Sequence, residues 1–302
     1  MASADASVRK ALPSQEDLRS RREHCSVDPA RLASIGRAVT HQVRVYRTDG
    51  DFGLYTVSEV RPERPDTTVR MGLAGRLRLG TDAEFDGRID SRGPQPGLPE
   101  DRARTKGELI ELLDDDGHQT RLIAIAPHGG DIEPHTDQQA ERVASRLAAK
   151  AVSCWRCKGW KPGGGAFDRW HITSTDLNEA CFPLLAQVMS RRFTHAVAFH
   201  GFEAEDPERP EVIVGGTAPL PFKEEIRAAV DGATAGSGVV VRIATCEDHV
   251  GGDDSGNIVN RLTIGRSNGI QLEQTLEARD GHWCAIADAV ADVYAPQLEG
   301  LE

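Results

Sequence analysis

Over the first 90 or so residues, the apolar positions come in short runs broken by turn residues. Strands are predicted at 41–46 (His-Gln-Val-Arg-Val-Tyr), 53–57 (Gly-Leu-Tyr-Thr-Val), 67–71 and 77–79. Thr48-Asp49-Gly50-Asp51 and Arg61-Pro62-Glu63-Arg64-Pro65-Asp66 read as the turns between them. Such regular short spacing predicts a small β-rich domain, a sandwich or barrel, over residues 31–90. Residues 1–30 are charged and read as a flexible lead-in, with a short helix around residues 15–23. Residues 91–99 are mostly Pro and Gly, which places a linker at 91–106.

From residue 107 to 302 the rhythm changes, and this stretch reads as a second domain. Residues 121–126 form a continuous apolar run that ends at Pro127-His128-Gly129-Gly130, and a helix is predicted at 136–150 with Thr136 as its N-cap. Further buried-type strands are predicted at 196–199, 239–243 and 269–272, with helices at 181–191, 221–233 and 283–294 between and after them. Strands alternating with helices predict an α/β fold built on a mostly parallel sheet flanked by helices. Runs apolar at every position suit a sheet covered on both faces.

Composition narrows the class. The 302 residues are 39% hydrophobic and 27% charged, ordinary for a globular protein. No stretch approaches the ~18–20 apolar residues of a membrane span, and the first residues hold no apolar signal-like run. A cytoplasmic place of synthesis is expected, with release by cell lysis left open. Residues 1–106 carry 19 Lys and Arg against 16 Asp and Glu, whereas the rest carry 17 against 31, a net of −14. That acidic body excludes bulk nucleic-acid binding through the second domain, which would need clustered cations. The six cysteines are expected as thiols. Cys154-Trp155-Arg156-Cys157 has no second pair at zinc-ribbon spacing, so it reads as structural thiols, as part of a metal site with Cys181 or Cys246, or as a redox pair.

In open α/β sheets ligands bind at the carboxyl ends of the strands. Three predicted strands bring chemistry there: the first leads into His128 and Glu133, the second ends at His200-Gly201, and the third carries Glu273. Two imidazoles and a carboxylate are the usual protein complement of a catalytic zinc, and a carboxylate off the metal can serve as general base. Each group taken alone has a plainer reading: a structural histidine, a first-turn helix acid, a buried ion-pair partner. Gly129, Gly130 and Gly201 would let backbone and substrate approach closely.

Several segments together resemble the poly-γ-glutamate hydrolase family. They are Ala126-Pro-His-Gly-Gly-Asp-Ile-Glu133, Arg169-Trp-His-Ile-Thr-Ser-Thr175, Ala198-Phe-His-Gly201, Asn257-Ile-Val-Asn-Arg261 and Gly269-Ile-Gln-Leu-Glu-Gln274, in the family's order. The resemblance covers about residues 107–298. It implies a zinc-carboxypeptidase-like fold and one zinc ion on His128, Glu133 and His200, with Glu273 in the place of the carboxypeptidase general base. It also implies hydrolysis of γ-glutamyl amide bonds, since family members from phages cut γ-linked polyglutamate capsules. The first ligand pair here is H-x-x-x-x-E, whereas the carboxypeptidases have H-x-x-E, so a longer ligand loop is expected.

The remaining motif residues carry weaker expectations. His171, Thr173 and Ser174 line the site or cap a turn. Arg261 is the candidate clamp for a glutamate carboxylate, supported by Asn257 and Asn260, or it pins the acidic loop before it. A polyanionic substrate would need Arg261, Arg266, Lys158, Lys161 and Arg169 to converge against an acidic average field. Two alternatives stand beside the γ-glutamyl hydrolase: a zinc peptidase or amidase on another amide such as a cell-wall peptide, and a non-catalytic polymer-binding protein.

Overall fold

Closing a sheet into a barrel points every second side chain inward, and the amino-terminal third of the chain follows that period. In the computed structural model, which describes residues 2–203 and 209–299, nine elements build this part. They are β1 (Ser3–Lys10), α1 (Glu16–Ser20), β2 (His24–Val27), α2 (Pro29–Ser34), β3 (Gln42–Arg47), β4 (Phe52–Val60), β5 (Thr68–Met71), α3 (Leu73–Leu77) and β6 (Phe85–Asp90). The six strands close in the order β1-β5-β2-β4-β3-β6. Ala6 and Val8, Val43 and Val45, Tyr55 and Val57, Val69 and Met71, and Ile89 fill the interior.

Two expectations are corrected here. Residues 3–27 are no lead-in: they supply β1 and β2, and β1 pairs in parallel with β5 and antiparallel with β6. The sequence Ser-Ala-Asp-Ala-Ser-Val-Arg-Lys hides this strand because its inward positions are partly small alanines. The run at 77–79 is not a strand, because residues 73–77 form helix α3.

The predicted linker is half helix. α4 (Glu100–Lys106) stands in it and stops at Gly107, which takes the left-handed φ of 63° that favours glycine.

The larger unit is a seven-stranded sheet made of β7 (Leu109–Asp114), β8 (Leu122–Gly130), β9 (Ser153–Gly159), β10 (His195–Gly201), β11 (Glu211–Gly215), β12 (Val240–Ile243) and β13 (Gly269–Gln274). Its order is β12-β11-β13-β10-β8-β9-β7. Neighbours run parallel except at β11/β13 and β7/β9. Helices α5 (Thr136–Arg146), α6 (Ala166–Trp170), α7 (Pro183–Met189), α8 (Leu220–Ala233), α9 (Ile258–Arg261) and α10 (Leu276–Gln297) cover it. Val143, Ile226 and Val290 of α5, α8 and α10 meet Leu122, Ala124, Val197 and Phe199 on one face. Trp170, Leu185 and Val259 of α6, α7 and α9 meet Ile123, Ile125, Ala196 and Ala198 on the other. No described helix is long and apolar enough to cross a membrane.

Strand geometry also decides the cysteine pair. Cys154 and Cys157 both lie on β9 three residues apart, so they point to opposite faces and join different cores. Neither a shared metal nor a disulfide is compatible with that placement. Burial pushes the Cys154 thiol up to about 12 and the Cys157 thiol well above its usual value. At α5, His135 rather than Thr136 takes the N-cap position, with φ 74°, while Thr136 Oγ1 donates to Glu133 O at 2.8 Å.

Candidate active site

Four chain segments bring their polar groups to the carboxyl ends of β8, β10 and β13. β8 is irregular between Ala126 and Gly129, which turns His128 out of the ladder. The Glu133 amide then donates to His128 O at 2.8 Å, closing the loop so that residues five apart face each other. On the neighbouring strands His200 and Glu273 are register partners and project side by side.

His128, Glu133, His200 and Glu273 are 2–7% exposed, so water does little to screen them from one another. His128 Nε2 lies 2.9 Å from Ile172 O. A carbonyl only accepts, so Nε2 donates and Nδ1 is the nitrogen turned toward Glu133. His128 Nδ1 lies 3.1 Å from Glu133 Oε1 and 3.2 Å from His200 Nδ1. His200 Nδ1 is also 3.5 Å from Glu133 Oε2, and its Nε2 meets Ser174 Oγ at 3.3 Å. A fourth group enters the same space: His171 Nε2 lies 3.5 Å from Glu133 Oε1, with its ring 4.1 Å from that of His128. By mutual reach of donor atoms, His128, Glu133 and His171 form a possible metal cluster, and His200 borders it through the two contacts just given.

Burial works to raise the Glu133 carboxyl, but the imidazoles of His128, His171 and His200 outweigh it and hold Glu133 well below its usual value. Glu273 goes the other way, pushed well up by burial and by the charge of Glu133. His171 is pulled down by burial and more strongly up by the carboxylates of Glu133 and Glu23, to about 9. Burial pushes His200 down.

The pocket around these groups has a volume of about 570 Å³ and is also lined by Phe167, Thr173, Thr175, His249, Asn257 and Gln271. An open cleft of about 620 Å³ on the barrel, lined by Lys10, Arg19 and Arg76 among others, carries neither imidazole nor thiol.

The weaker expectations divide. His171, Thr173, Ser174 and Asn257 line the pocket. Asn260 does not: its amide holds Gly252 O and Asp254 O at 2.8 and 2.7 Å and accepts from Thr217 Oγ1. Arg261 also stands outside, donating to Leu177 O at 2.6 Å and pairing with Glu179. The five expected cations scatter. Lys158 pairs with Glu100 and Asp137, Lys161 and Arg169 both pair with Asp51, and Arg266 reaches Ser255 O. Among the described residues no Lys or Arg lines the pocket, whereas Glu203, Asp253 and Asp254 do.

Three contributors lie beyond the sequence reading. Gln271 Nε2 donates to Glu273 Oε1 at 2.7 Å, and Asn257 Nδ2 donates to Gln271 Oε1 at 2.8 Å. Arg279 is buried beneath Gly201, donating to Pro134 O at 2.6 Å. A Cβ at Gly201 would come within 2.3 Å of its Nη2, so this glycine makes room for Arg279. Glu23 arrives from the barrel. Only Gln271 carried a legible signal, since a residue two before Glu273 on a strand shares its face.

The sequence profile of the poly-gamma-glutamate hydrolase family matches residues 103–286. The chain belongs to the poly-gamma-glutamate hydrolase family. A solved bacteriophage poly-gamma-glutamate hydrolase shares the fold, with a TM-score of 0.50 at 24% identity, over 64% of this chain and 91% of that one. A second structure, YNDL in a zinc-free form, matches at a TM-score of 0.46 and 21% identity over 64% of this chain and 90% of that one. The SPbeta prophage-derived protein YoqZ of Bacillus subtilis is 27% identical over 159 residues, 53% of this chain. The match spans 50% of that relative's length. The barrel, residues 3–90, lies wholly outside the family match.

Proposed function

We propose that this chain is a zinc-dependent hydrolase of γ-glutamyl amide bonds, acting on a γ-linked glutamate polymer or peptide. Residues 107–302 would form the catalytic unit and the barrel an accessory one. The observation that carries the reading is the buried convergence of His128 Nδ1 on Glu133 Oε1 at 3.1 Å and on His200 Nδ1 at 3.2 Å. Two ring nitrogens and a carboxylate packed this closely away from water call for a positive charge among them, which a metal ion supplies. Nitrogen and oxygen donors from His128, Glu133 and His200 suit zinc, and both imidazoles have their second nitrogen engaged, by Ile172 O and Ser174 Oγ. Zinc held there supplies Lewis acidity toward a scissile carbonyl.

The chain's own groups do the rest. Glu273, oriented by Gln271 and through it by Asn257, takes a proton from the attacking water and returns it to the departing nitrogen. His171 Nε2 faces the pocket as a donor for negative charge developing on the carbonyl oxygen. The intact set of two histidines and two glutamates argues against a non-catalytic polymer binder.

The acidic lining favours a second reading within the same chemistry. Without Lys or Arg among the described lining residues, a γ-glutamyl bond in a less anionic peptide, such as a cell-wall peptide, meets less repulsion than a long polyanion. Incubation with γ-linked polyglutamate, α-linked polyglutamate and neutral-flanked γ-glutamyl peptides, with and without chelator, separates these. Cleavage of γ-links alone, lost with chelator and lowered ~10²–10⁴-fold in Glu273→Gln while zinc stays bound, is expected. Undiminished cleavage in chelator would end the metal reading.

A further inference from the structure

The segment that carries His171, Thr173 and Ser174 is held less by its own sheet than by the barrel. Arg78, buried just beyond α3, donates to Asp168 O at 2.8 Å and to His171 O at 2.9 Å while also binding Leu54 O. His24 Nε2 meets Asp176 Oδ2 at 2.7 Å, and Gln42 Nε2 donates to Asp176 O at 2.7 Å. These contacts dock two units. One barrel residue does something different.

Glu23, immediately before β2 and 4% exposed, sends its carboxylate into the site. Its Oε1 lies 2.5 Å from His171 Nδ1, a residue 148 positions away. Its Oε2 accepts from the Thr173 amide at 2.6 Å and from Thr173 Oγ1 at 3.0 Å. The His171 ring is sandwiched between Phe167, at 4.3 Å, and His128, at 4.1 Å. Phe167, its plane 21° from that of the imidazole, fixes the tilt of the ring. The short bond to Glu23 on one nitrogen, opposite the longer contact to Glu133 on the other, fixes its rotation within that plane. That rotation aims Nε2 at Glu133 Oε1.

We propose that the barrel is a working part of the active site, and that Glu23 is a positioning residue which orients His171 and Thr173 in the catalytic pocket. A carboxylate on the far nitrogen of an imidazole sets which nitrogen faces inward and where it points, as it does behind metal-bound histidines. Plain docking would be served as well by the neutral contacts of Gln42, whereas a buried carboxylate with both oxygens committed to one segment is a directional device. The proposal rests on the γ-glutamyl hydrolase reading for its activity arm alone.

The test compares full-length Glu23→Gln, Glu23→Asp, His171→Gln and the double variant Glu23→Gln/His171→Gln, with Gln42→Ala as a docking control. Each is assayed by thermal unfolding, by zinc affinity in competition with a colorimetric chelator, and by kcat and KM on γ-linked polyglutamate. In Glu23→Gln, zinc affinity or kcat should fall ~10–100-fold with KM within about twofold, as for other residues that orient a site histidine. Glu23→Asp should recover part of the loss, and the double variant should be no worse than His171→Gln alone. Gln42→Ala should lower the unfolding temperature and leave both other readouts within about twofold, the spread allowed for a docking contact.

The idea is overturned if Glu23→Gln shifts only the unfolding temperature, as the control does, or if its effect adds in full to that of His171→Gln. Should Glu23→Gln fail to fold, Glu23→Asp and the same cycle built on it decide the matter. If the wild-type chain cleaves no γ-glutamyl bond, the function reading falls, while zinc affinity, which depends on Glu133 and so on the His171 contact to it, still judges Glu23.

Discussion

Glu273 shows how much of a catalytic group lies in its neighbours. Its carboxylate is buried, and one oxygen is held by Gln271, which is itself held by Asn257. Gln271→Leu keeps the strand but releases these bonds and a third, to Val250 O. It should lower kcat ~10–100-fold, the scale seen when an orienting partner is lost, with the unfolding temperature little changed. Steady-state kinetics beside a thermal melt checks this. Gly201 tests crowding at the same scale. With Arg279 pinned to Pro134 O, Gly201→Ala forces a methyl onto the guanidinium and should cost about 1–3 kcal/mol in urea unfolding. An unchanged midpoint would show that Arg279 swings freely aside. At this scale the candidate site was largely legible, because His128, Glu133, His200 and Glu273 sit where apolar runs end. Arg261 was misleading: a guanidinium fits a carboxylate wherever it lies, and here it meets Glu179 and Leu177 O.

Among the elements, those apolar at every position were readable and those of mixed character were not. β8 and β10 announce themselves by unbroken apolar runs. β9, with Cys-Trp-Arg-Cys-Lys at its centre, is equally buried, yet its Arg156 and Lys158 end in ion pairs with acids far off in the chain. α2 is set by a local cap. Asp28 accepts from the amides of Ala30 and Arg31 at 2.8 and 3.3 Å and, in the neighbouring β4–β5 loop, from that of Glu63 at 2.9 Å. Asp28→Ala should therefore destabilise the protein by about 1–2 kcal/mol, toward the upper end of N-cap losses, measured by chemical denaturation. A change within error would mean that water replaces the cap.

For the molecule as a whole, acid is the revealing stress. The backbone amides of Glu63, Arg31 and Ala30 hold Asp28 low, Arg70 holds Glu63 low, and Arg242 holds Asp248 low. A carboxylate depressed on folding contributes stability above its unfolded pKa of about 4 and loses it as pH falls through the folded value. The unfolding temperature should thus be steady near neutrality and fall steeply below about pH 4. A melt series showing a plateau down to pH 2 would contradict this.

The sequence by itself determined the local order: the strand and helix periods, the chemistry at the strand ends, and the shared face of Gln271 and Glu273. These follow from bonds and sterics between near neighbours. Only the tertiary structure decided that residues 3–27 close a barrel, that Arg261 turns from the pocket, and that Glu23 crosses to His171. Such contacts join segments far apart along the chain, and packing of the whole molecule selects them.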